Sequence, residues 1–329
     1  MYSSRLVLVT FFLVFILLHQ LLINRASADN IPIPVGLKPI GIDYNSENGN
    51  IYVTNAKSSS LSIIDSATNS VLATVLVGIY PYAVTYDQIN DRIYVANAGS
   101  RDMSVISGSS KEVIKTIDIK DQPASILYDP RNHYIYVATP DSGSVTVINS
   151  SYEIVKTISI GKKPIDMTFN PTNGAIYVAN SGSNDVSVIS DTTNKFTSNI
   201  IVEENPTAVA YNSANNRIYV VNKNSSSLSL IDAATNAVIN KIKMSPLPLG
   251  LAINPLTNTV YVTHTNGYDI LTIISESEKR VEDLKLNSRP ERVSVSLKTN
   301  TVYLTNPDDN FVTVIDGNTK QIMSTPQLT

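Results

Sequence analysis

Short runs of β-branched and aromatic residues alternate with polar turn clusters along most of this chain. Within residues 37–78 the apolar runs are 40–44, 51–54, 61–64 and 70–77. The segments between them are rich in Asn, Asp, Ser and Gly, which are residues that favour turns. Runs of this length and composition predict four strands. No segment after residue 28 has apolar residues at helical spacing for long enough to predict a helix.

The second predicted strand carries the motif Ile-Tyr-Val-Thr-Asn at residues 51–55, which returns six more times in close variants. Its tyrosines are Tyr52, Tyr94, Tyr136, Tyr177, Tyr219, Tyr261 and Tyr303. Successive tyrosines are 42 residues apart, except for one interval of 41. A proline follows the same period at Pro39, Pro81, Pro123, Pro164, Pro206, Pro248 and Pro290. Two markers with one period indicate seven copies of one structural unit.

Four short strands in a repeat of this length are typical of a β-propeller blade. Both alternating sets of residues in the motif strand are apolar or small, which predicts a sheet covered on both faces. We therefore predict an all-β fold, a seven-bladed β-propeller of four-stranded antiparallel blades, spanning residues 37–329 as a single domain. Small residues two places after most of the prolines are expected where the blades crowd near the axis.

The ends of the repeat array bear on how the ring closes. Proline lacks a backbone donor and is tolerated at the first residue of a strand, so each repeating proline is expected to begin an inner strand. Residues 321–328 are expected to give blade seven its own fourth strand. Residues 29–36 form a separate N-terminal segment, which either adds to that blade or covers its edge.

Residues 1–28 lie outside the repeats. They contain Arg5, an apolar run over residues 6–18, and the small-residue sequence Ala-Ser-Ala at 26–28. This pattern is typical of a cleaved secretory signal peptide. The alternative is an uncleaved membrane anchor over residues 6–23, which would be the only contact with a membrane. Either interpretation predicts an exported protein that is extracellular, cell-surface or periplasmic.

Charge and cysteine content narrow the classes of partner. Residues 1–28 contain Arg5 and Arg25 and no acidic residue, so the net charge of −3 becomes −5 without them. An acidic body disfavours nonspecific nucleic-acid binding. The chain has no cysteine, so an exported form depends on core packing and sheet hydrogen bonds rather than disulfides.

The seven Ile-Tyr-Val-Thr-Asn variants resemble the signature of the YVTN family of seven-bladed β-propellers. The family is known from archaeal surface-layer proteins and from bacterial periplasmic proteins of the YncE type. The resemblance covers the whole body after residue 36. It implies an exported protein of the cell envelope with a role in surface architecture, adhesion or binding. It implies no shared catalytic residues.

No catalytic, phosphate-binding or dinucleotide motif is present in the sequence. The three histidines are not at ligand spacing and no cysteine can join them, so we predict no metal site and no cofactor. Asp308 and Asp309 could contribute to a calcium site, although their spacing matches no known calcium loop. The repeated tyrosines and asparagines are interpreted as parts of the blade, with the asparagines bonding nearby backbone.

Positions at which the blades differ are the candidates for function. The residues before the prolines are expected to ring one face near the axis, and they define a candidate ligand face: Lys38, Tyr80, Gln122, Lys163, Asn205 and Arg289, with Leu247 in blade six. At the small inner-strand position, Asp166 and Arg292 replace the usual Gly, Ala or Ser. A charge near the axis is costly unless it is solvated or paired, so both are expected to face a wet channel.

Three functions follow from these observations. The leading hypothesis is a non-enzymatic binding or structural module of the cell envelope, whose partner is an envelope protein or a glycan. The first alternative is a hydrolase or lactonase acting in the channel, for which Asp43, Asp166 and Glu291 are the available groups. The second is a single-stranded nucleic-acid binder that uses Lys38, Tyr80, Tyr82 and Lys163.

Overall fold

The computed structural model describes residues 32–265, 267–276 and 280–323. In these residues the chain forms seven four-stranded antiparallel sheets arranged as a ring, which confirms the predicted seven-bladed propeller. The described part of the chain contains no helix that could cross a membrane. The predicted signal peptide lies outside the described residues.

Blades one to six are each built from four consecutive strands ordered outward from the axis, and blade seven combines three consecutive strands with one from the N-terminal side. The innermost strands are β2 (Pro39–Tyr44), β6 (Pro81–Asp87), β10 (Ser125–Asp129), β14 (Pro164–Asn170), β18 (Pro206–Asn212), β22 (Pro248–Asn254) and β26 (Val293–Ser296). The second strands, which carry the motif, are β3 (Asn50–Asn55), β7 (Arg92–Asn97), β11 (Tyr134–Thr139), β15 (Ala175–Asn180), β19 (Arg217–Asn222), β23 (Thr259–His264) and β27 (Thr301–Asn306).

The outer half of each blade follows the same order. The third strands are β4 (Ser60–Asp65), β8 (Asp102–Ser107), β12 (Ser144–Ile148), β16 (Asp185–Ser190), β20 (Ser227–Asp232), β24 (Ile270–Ser275) and β28 (Phe311–Asp316). The fourth strands of blades one to six are β5 (Ser70–Leu76), β9 (Val113–Asp118), β13 (Ile154–Ser159), β17 (Lys195–Ile201), β21 (Ala237–Lys243) and β25 (Arg280–Lys285). The two-residue strand β1 (Ile33–Pro34) completes blade seven.

The hydrophobic core lies between blades rather than within them. Each of the seven clusters of buried apolar residues in the described part joins two neighbouring sheets. In one of them Tyr177 and Val188 of blade four pack with Val209 and Ile218 of blade five. A single sheet therefore cannot bury both of its faces, and closure of the ring completes every interface.

Within the described residues, the hydroxyl groups of Tyr136, Tyr177, Tyr219 and Tyr303 link neighbouring blades, whereas those of Tyr52 and Tyr94 bond within their own blades. Tyr136 of blade three donates to Asn194 Oδ1 of blade four at 2.6 Å. Tyr177 of blade four donates to Asn236 Oδ1 of blade five at 2.8 Å. A buried tyrosine hydroxyl needs a hydrogen-bond partner, and for these two tyrosines the next blade supplies it, so the motif tyrosine has a structural role.

The motif asparagines hold the turn between the second and third strands. Asn55 Nδ2 donates to Ser60 Oγ at 3.2 Å and to Ser62 Oγ at 2.9 Å. Asn222 makes the same pair of side-chain contacts in blade five. The prediction of local backbone partners is therefore wrong for Asn55, because its amide bonds to hydroxyl groups across the hairpin.

The two ends of the chain together complete blade seven. Ile33 and Pro34 pair with Val312 and Phe311 at the start of β28. Farther along β28, Ile322 forms a bridge with Ile315. The prediction that the N-terminal segment adds to blade seven is confirmed, while the predicted C-terminal strand is represented in the described residues by the single bridge of Ile322. Residues 324–328 of the predicted strand lie outside the described residues.

In five of the seven blades the repeating proline is the first residue of the inner strand, as predicted. In blades three and seven the inner strand begins two and three residues after Pro123 and Pro290, at Ser125 and Val293. The prediction for these two blades is therefore wrong.

Candidate functional site

The residues before the prolines lie on one face of the ring, which we call the upper face. Lys38, Tyr80, Lys163, Asn205 and Leu247 have φ between 52° and 57°, in the left-handed region. Their carbonyl groups accept hydrogen bonds from the backbone at the turns that follow the motif strands. The upper face therefore brings together the pre-proline residues and these turns.

Two of the predicted upper-face residues contact each other directly. Lys38 Nζ donates to the Tyr80 hydroxyl at 2.6 Å and lies 5.1 Å from the centre of the tyrosine ring. The hydrogen bond to Tyr80 raises the pKa of Lys38. The pair links blades one and two and keeps a positive charge at the rim.

The mouth of the channel on the upper face is a cavity of about 400 Å³ between blades two, five, six and seven. Its charged lining residues are Lys223, Arg289, Glu291 and Asp308. The Arg289 guanidinium lies 3.8 Å from Asp308 and 3.9 Å from Asp269. The mouth therefore carries both signs of charge. No three His, Asp or Glu side chains of the described residues cluster as metal ligands.

A second cavity, of about 210 Å³, occupies the channel itself. Its polar lining comes from Asp43 of blade one, Tyr82 of blade two, Ser125 of blade three, Asp166 of blade four and Arg292 of blade seven. Tyr82 lines both cavities and therefore lies between the mouth and the channel. Five blades thus contribute polar groups to one space.

Close contacts between inner strands position these residues. A Cβ on Gly41 would lie 2.5 Å from the Tyr82 carbonyl oxygen, so only glycine lets blades one and two approach this closely. In blade seven the Thr305 hydroxyl accepts from the Arg292 backbone at 3.1 Å and donates to the Ile40 carbonyl of blade one at 2.9 Å. The expected small residues near the axis are confirmed at Gly41.

The two channel aspartates are fixed to the next blade in the ring. Asp43 accepts from the backbone nitrogens of Tyr44 at 2.9 Å and Tyr86 at 3.2 Å, which engages both of its oxygens. Asp166 Oδ2 accepts from the Val209 nitrogen at 2.9 Å. Asp166 Oδ1 has a weaker contact, from Ser125 Oγ at 3.5 Å.

Burial shifts the pKa of each channel carboxyl group upward, because an apolar environment disfavours the charged form. It raises the pKa of Asp43 to about 7. It also raises the pKa of Asp166 and of Glu291, against the opposing effect of Arg292. Asp43 in the channel therefore gains and loses its proton nearer to neutral pH than free aspartate does, while Glu291 lies at the mouth.

Arg292 is the cation of this site. Burial acts to lower the pKa of Arg292, but Tyr82 and Asp166 outweigh it, so the net shift is upward and the guanidinium is charged. The ion pairs within 4.0 Å in the described residues include neither Arg292 nor Asp166. The two opposite charges therefore line one cavity without forming a direct pair.

The remaining candidates from the sequence lie outside this channel cavity. Gln122 and Lys163 are exposed on the upper face, and Asn205 Nδ2 donates to Asn224 Oδ1 at 3.2 Å. The sequence grouped Asp43 with Asp166 in the channel only under the hydrolase alternative, and it did not place Tyr82 beside Asp166 and Arg292. All four residues lie one to four positions after the repeating proline of their blade, and this shared placement is the signal that could have grouped them.

The ring of seven blades and its charged channel define a seven-bladed β-propeller with a polar central site. The chain belongs to the YNCE-like beta-propeller family, whose family model matches residues 21–298. The comparison with curated proteins gives no match.

Solved structures share this fold at low sequence identity. Kuenenia stuttgartiensis hydrazine synthase has 20% identity and a TM-score of 0.76, covering 88% of this chain and 98% of that one. A streptogramin B lyase has 15% identity and a TM-score of 0.74, covering 86% and 94%. Virginiamycin B lyase from Staphylococcus aureus has 14% identity and a TM-score of 0.70, covering 82% and 92%.

The prediction of a non-enzymatic protein is contradicted by these comparisons, because two of the similar structures are lyases with the same propeller fold. At 14% and 15% identity the likeness shows the fold alone and transfers no reaction to this chain. The absence of a familiar catalytic motif therefore does not exclude an enzyme, since propellers assemble sites from separate blades.

Proposed function

We propose that this protein is an exported binding propeller whose central channel holds a small hydrophilic ligand. The observation that carries the proposal is the placement of Asp166 and Arg292. Both charges occupy a position that is Gly, Ala or Ser in the other five blades, and both line one cavity. Unpaired charges in a half-buried channel lower the stability of the fold, so their presence favours a role in recognition.

The lining of the channel supports a ligand with polar ends. Arg292 donates hydrogen bonds in a fixed planar geometry, and Asp166 Oδ1 retains acceptor capacity. The larger cavity at the mouth opens on the upper face and gives the ligand a route to the channel. The predicted signal peptide supports a location outside the cytoplasm, where such a ligand would be met.

A thermal unfolding screen of residues 29–329 tests the proposal with amino acids, sugars, sugar acids and polyols as probes. A ligand that binds only the native state raises the melting temperature in proportion to the logarithm of its excess. Ala124 lines the channel, whereas Ala67 is exposed in a turn outside it. We expect Ala124→Phe to abolish the shift and Ala67→Phe to keep it. A screen without any shift, or a shift that survives Ala124→Phe, would contradict the proposal.

A second candidate function, acid–base catalysis at the same site, is favoured by Asp43. A carboxyl group with a pKa of about 7 is suited to act as a general base near neutral pH. It would activate a water molecule against an ester or lactone carbonyl, and Arg292 would stabilise the developing negative charge on the carbonyl oxygen.

Turnover of p-nitrophenyl esters and simple lactones tests this second function. We expect the rate to rise with pH through a midpoint near 7 and to fall by about a hundredfold or more in Asp43→Asn. The exposed Asp141 provides a control, because Asp141→Asn leaves the channel unchanged. Equal rates in the wild type and in Asp43→Asn would exclude Asp43 as the base.

A further inference from the structure

The channel cavity has three kinds of lining that a single ligand can satisfy at once. One is the guanidinium of Arg292, which has no carboxylate within 4.0 Å in the described residues, and another is the oxygen Asp166 Oδ1, whose Ser125 contact is long. The third is an apolar wall from lining residues that also pack between the blades, namely Ile42, Val84, Ile126, Leu127, Met167, Leu251 and Val293. We infer that the channel binds a zwitterion with a small apolar body, of the class of the aliphatic α-amino acids. This inference rests on the proposed function.

The anionic end of such a ligand belongs at Arg292. A guanidinium binds a carboxylate through two parallel hydrogen bonds, and within the described residues no carboxylate lies within 4.0 Å of Arg292. Tyr82 lies close enough to hydrogen-bond with Arg292 and lines the same space. The Thr305 hydroxyl fixes the Arg292 backbone, which holds the guanidinium on the wall of blade seven.

The cationic end belongs at Asp166 rather than at Asp43. Both oxygens of Asp43 already accept backbone hydrogen bonds, at 2.9 Å and 3.2 Å. Asp166 has one such bond, at 2.9 Å from Val209, with weaker contacts from the Met167 nitrogen and, at 3.5 Å, from Ser125 Oγ. An ammonium group beside Asp166 Oδ1 would supply the missing strong donor and favour the charged form of the carboxyl group.

The size of the channel limits the body of the ligand. Its volume is about 210 Å³. This space suits a molecule of the size of valine and is too small for a sugar polymer. The apolar wall gives the hydrocarbon part of the ligand a favourable contact that a sugar or polyol would not make.

Isothermal titration calorimetry with three probes of one shape tests the inference. L-valine carries both charges, isovalerate lacks the ammonium group, and isobutylamine lacks the carboxylate. Because a hydrogen bond to a charged group is worth about 1.5–3 kcal/mol, we expect isovalerate and isobutylamine to bind about tenfold or more weakly than L-valine.

Variants assign the two ends of the ligand. We expect Arg292→Met to lose L-valine binding and Arg292→Lys to keep part of it. We expect Asp166→Asn to bind isovalerate and L-valine with equal affinity. Arg280 is exposed on the outer strand β25, so Arg280→Met serves as the control with unchanged binding. Circular dichroism confirms that each variant is folded before its affinity is compared.

The outcomes separate this inference from the proposed function. If isovalerate binds wild type as tightly as L-valine, the ammonium contact is wrong while binding in the channel stands. If none of the three probes binds but another compound of the screen gives a shift that Ala124→Phe abolishes, the zwitterion class is wrong and the function stands. If no compound binds in either experiment, both proposals fall.

Discussion

The Tyr303 hydroxyl in blade seven donates to Asn69 Oδ1 in blade one at 2.8 Å. The same contact joins Tyr177 to Asn236 between blades four and five, also at 2.8 Å. The interface between blades seven and one, which closes the ring, therefore uses the same tyrosine–asparagine hydrogen bond as an interface between consecutive blades. Asn69 and Tyr303 are nevertheless far apart along the chain. At this point the ring is therefore closed by the same kind of hydrogen bond that joins blades four and five.

This equivalence predicts equal costs for removing the two hydroxyl groups. Tyr303→Phe and Tyr177→Phe should each lower the free energy of unfolding by about 1 kcal/mol, the usual value of one intramolecular hydrogen bond. Urea denaturation monitored by tyrosine fluorescence measures both values. A negligible effect of Tyr303→Phe beside a clear effect of Tyr177→Phe would mean that the ring is not closed in solution.

The buried motif tyrosines should matter far more to stability than the residues of the upper rim. Tyr136 is fully buried and its hydroxyl is bonded, so Tyr136→Ala should cost about 3–5 kcal/mol. Lys163 is exposed on the upper face, so Lys163→Ala should stay within about 0.5 kcal/mol. Chemical denaturation compares the two, and equal costs would contradict the blade register.

The raised pKa of Asp43 predicts that this residue lowers stability as pH rises. Its pKa is about 7 in the folded protein and near 3.8 without burial, so the folded state binds the proton more tightly. The contribution of Asp43 to stability is therefore full below about pH 4 and is lost as pH rises through 7.

Asp43→Asn removes this proton linkage. The free energy of unfolding of the variant minus that of wild type should be more positive at pH 8 than at pH 4, as measured by urea denaturation at both pH values. Asp141→Asn, at an exposed turn, is the surface control. A difference between the variant and wild type that is the same at both pH values would show that burial does not shift the pKa of Asp43.

His264 should act in the opposite direction. It takes the place of the motif asparagine in blade six, where Nε2 lies 2.7 Å from Thr272 Oγ1 and Nδ1 lies 2.9 Å from the Pro246 carbonyl oxygen. Burial lowers the pKa of His264, so protonation favours the unfolded chain. Stability is therefore lost as pH falls below the unfolded pKa of about 6.5.

His264→Asn restores the residue found in most of the other blades and removes this linkage. Between pH 7 and pH 5 the variant should lose less stability than wild type in thermal unfolding. His133→Asn removes an exposed histidine at a turn with φ of 61°, a conformation that asparagine tolerates, and it provides the matched control. An unchanged acid sensitivity in His264→Asn would show that another group dominates.

Most of the fold could be predicted from the repeat. The recurrence of Tyr52 and its six counterparts, in phase with the prolines, fixed the number of blades and the strand that lies second in each. The start of the inner strand in blades three and seven could not be predicted, since Pro123 and Pro290 look like the other prolines. Whether the strand begins there depends on backbone pairing with the second strand, which composition does not encode.

The candidate site was only partly predictable. Asp166 and Arg292 stood out because they depart from a small-residue position, and a departure from a repeat is visible in sequence. Asp43 was grouped with Asp166 only in the hydrolase alternative, and the association of both with Tyr82 was not visible, because residues from different repeats converge only when the ring closes. The prediction of a non-enzymatic protein is contradicted, because two of the similar structures are lyases with the same propeller fold.

The all-β class, the seven blades and the strands of each unit follow from the sequence alone, because hydrophobic periodicity and turn residues are local properties. The folded ring was needed to show how Ile33 and Ile322 share the edge of blade seven and how Asp166 and Arg292 face one channel without pairing. Both features depend on the distance between residues remote in sequence. That distance is set by the packing of every interface around the ring rather than by any one repeat.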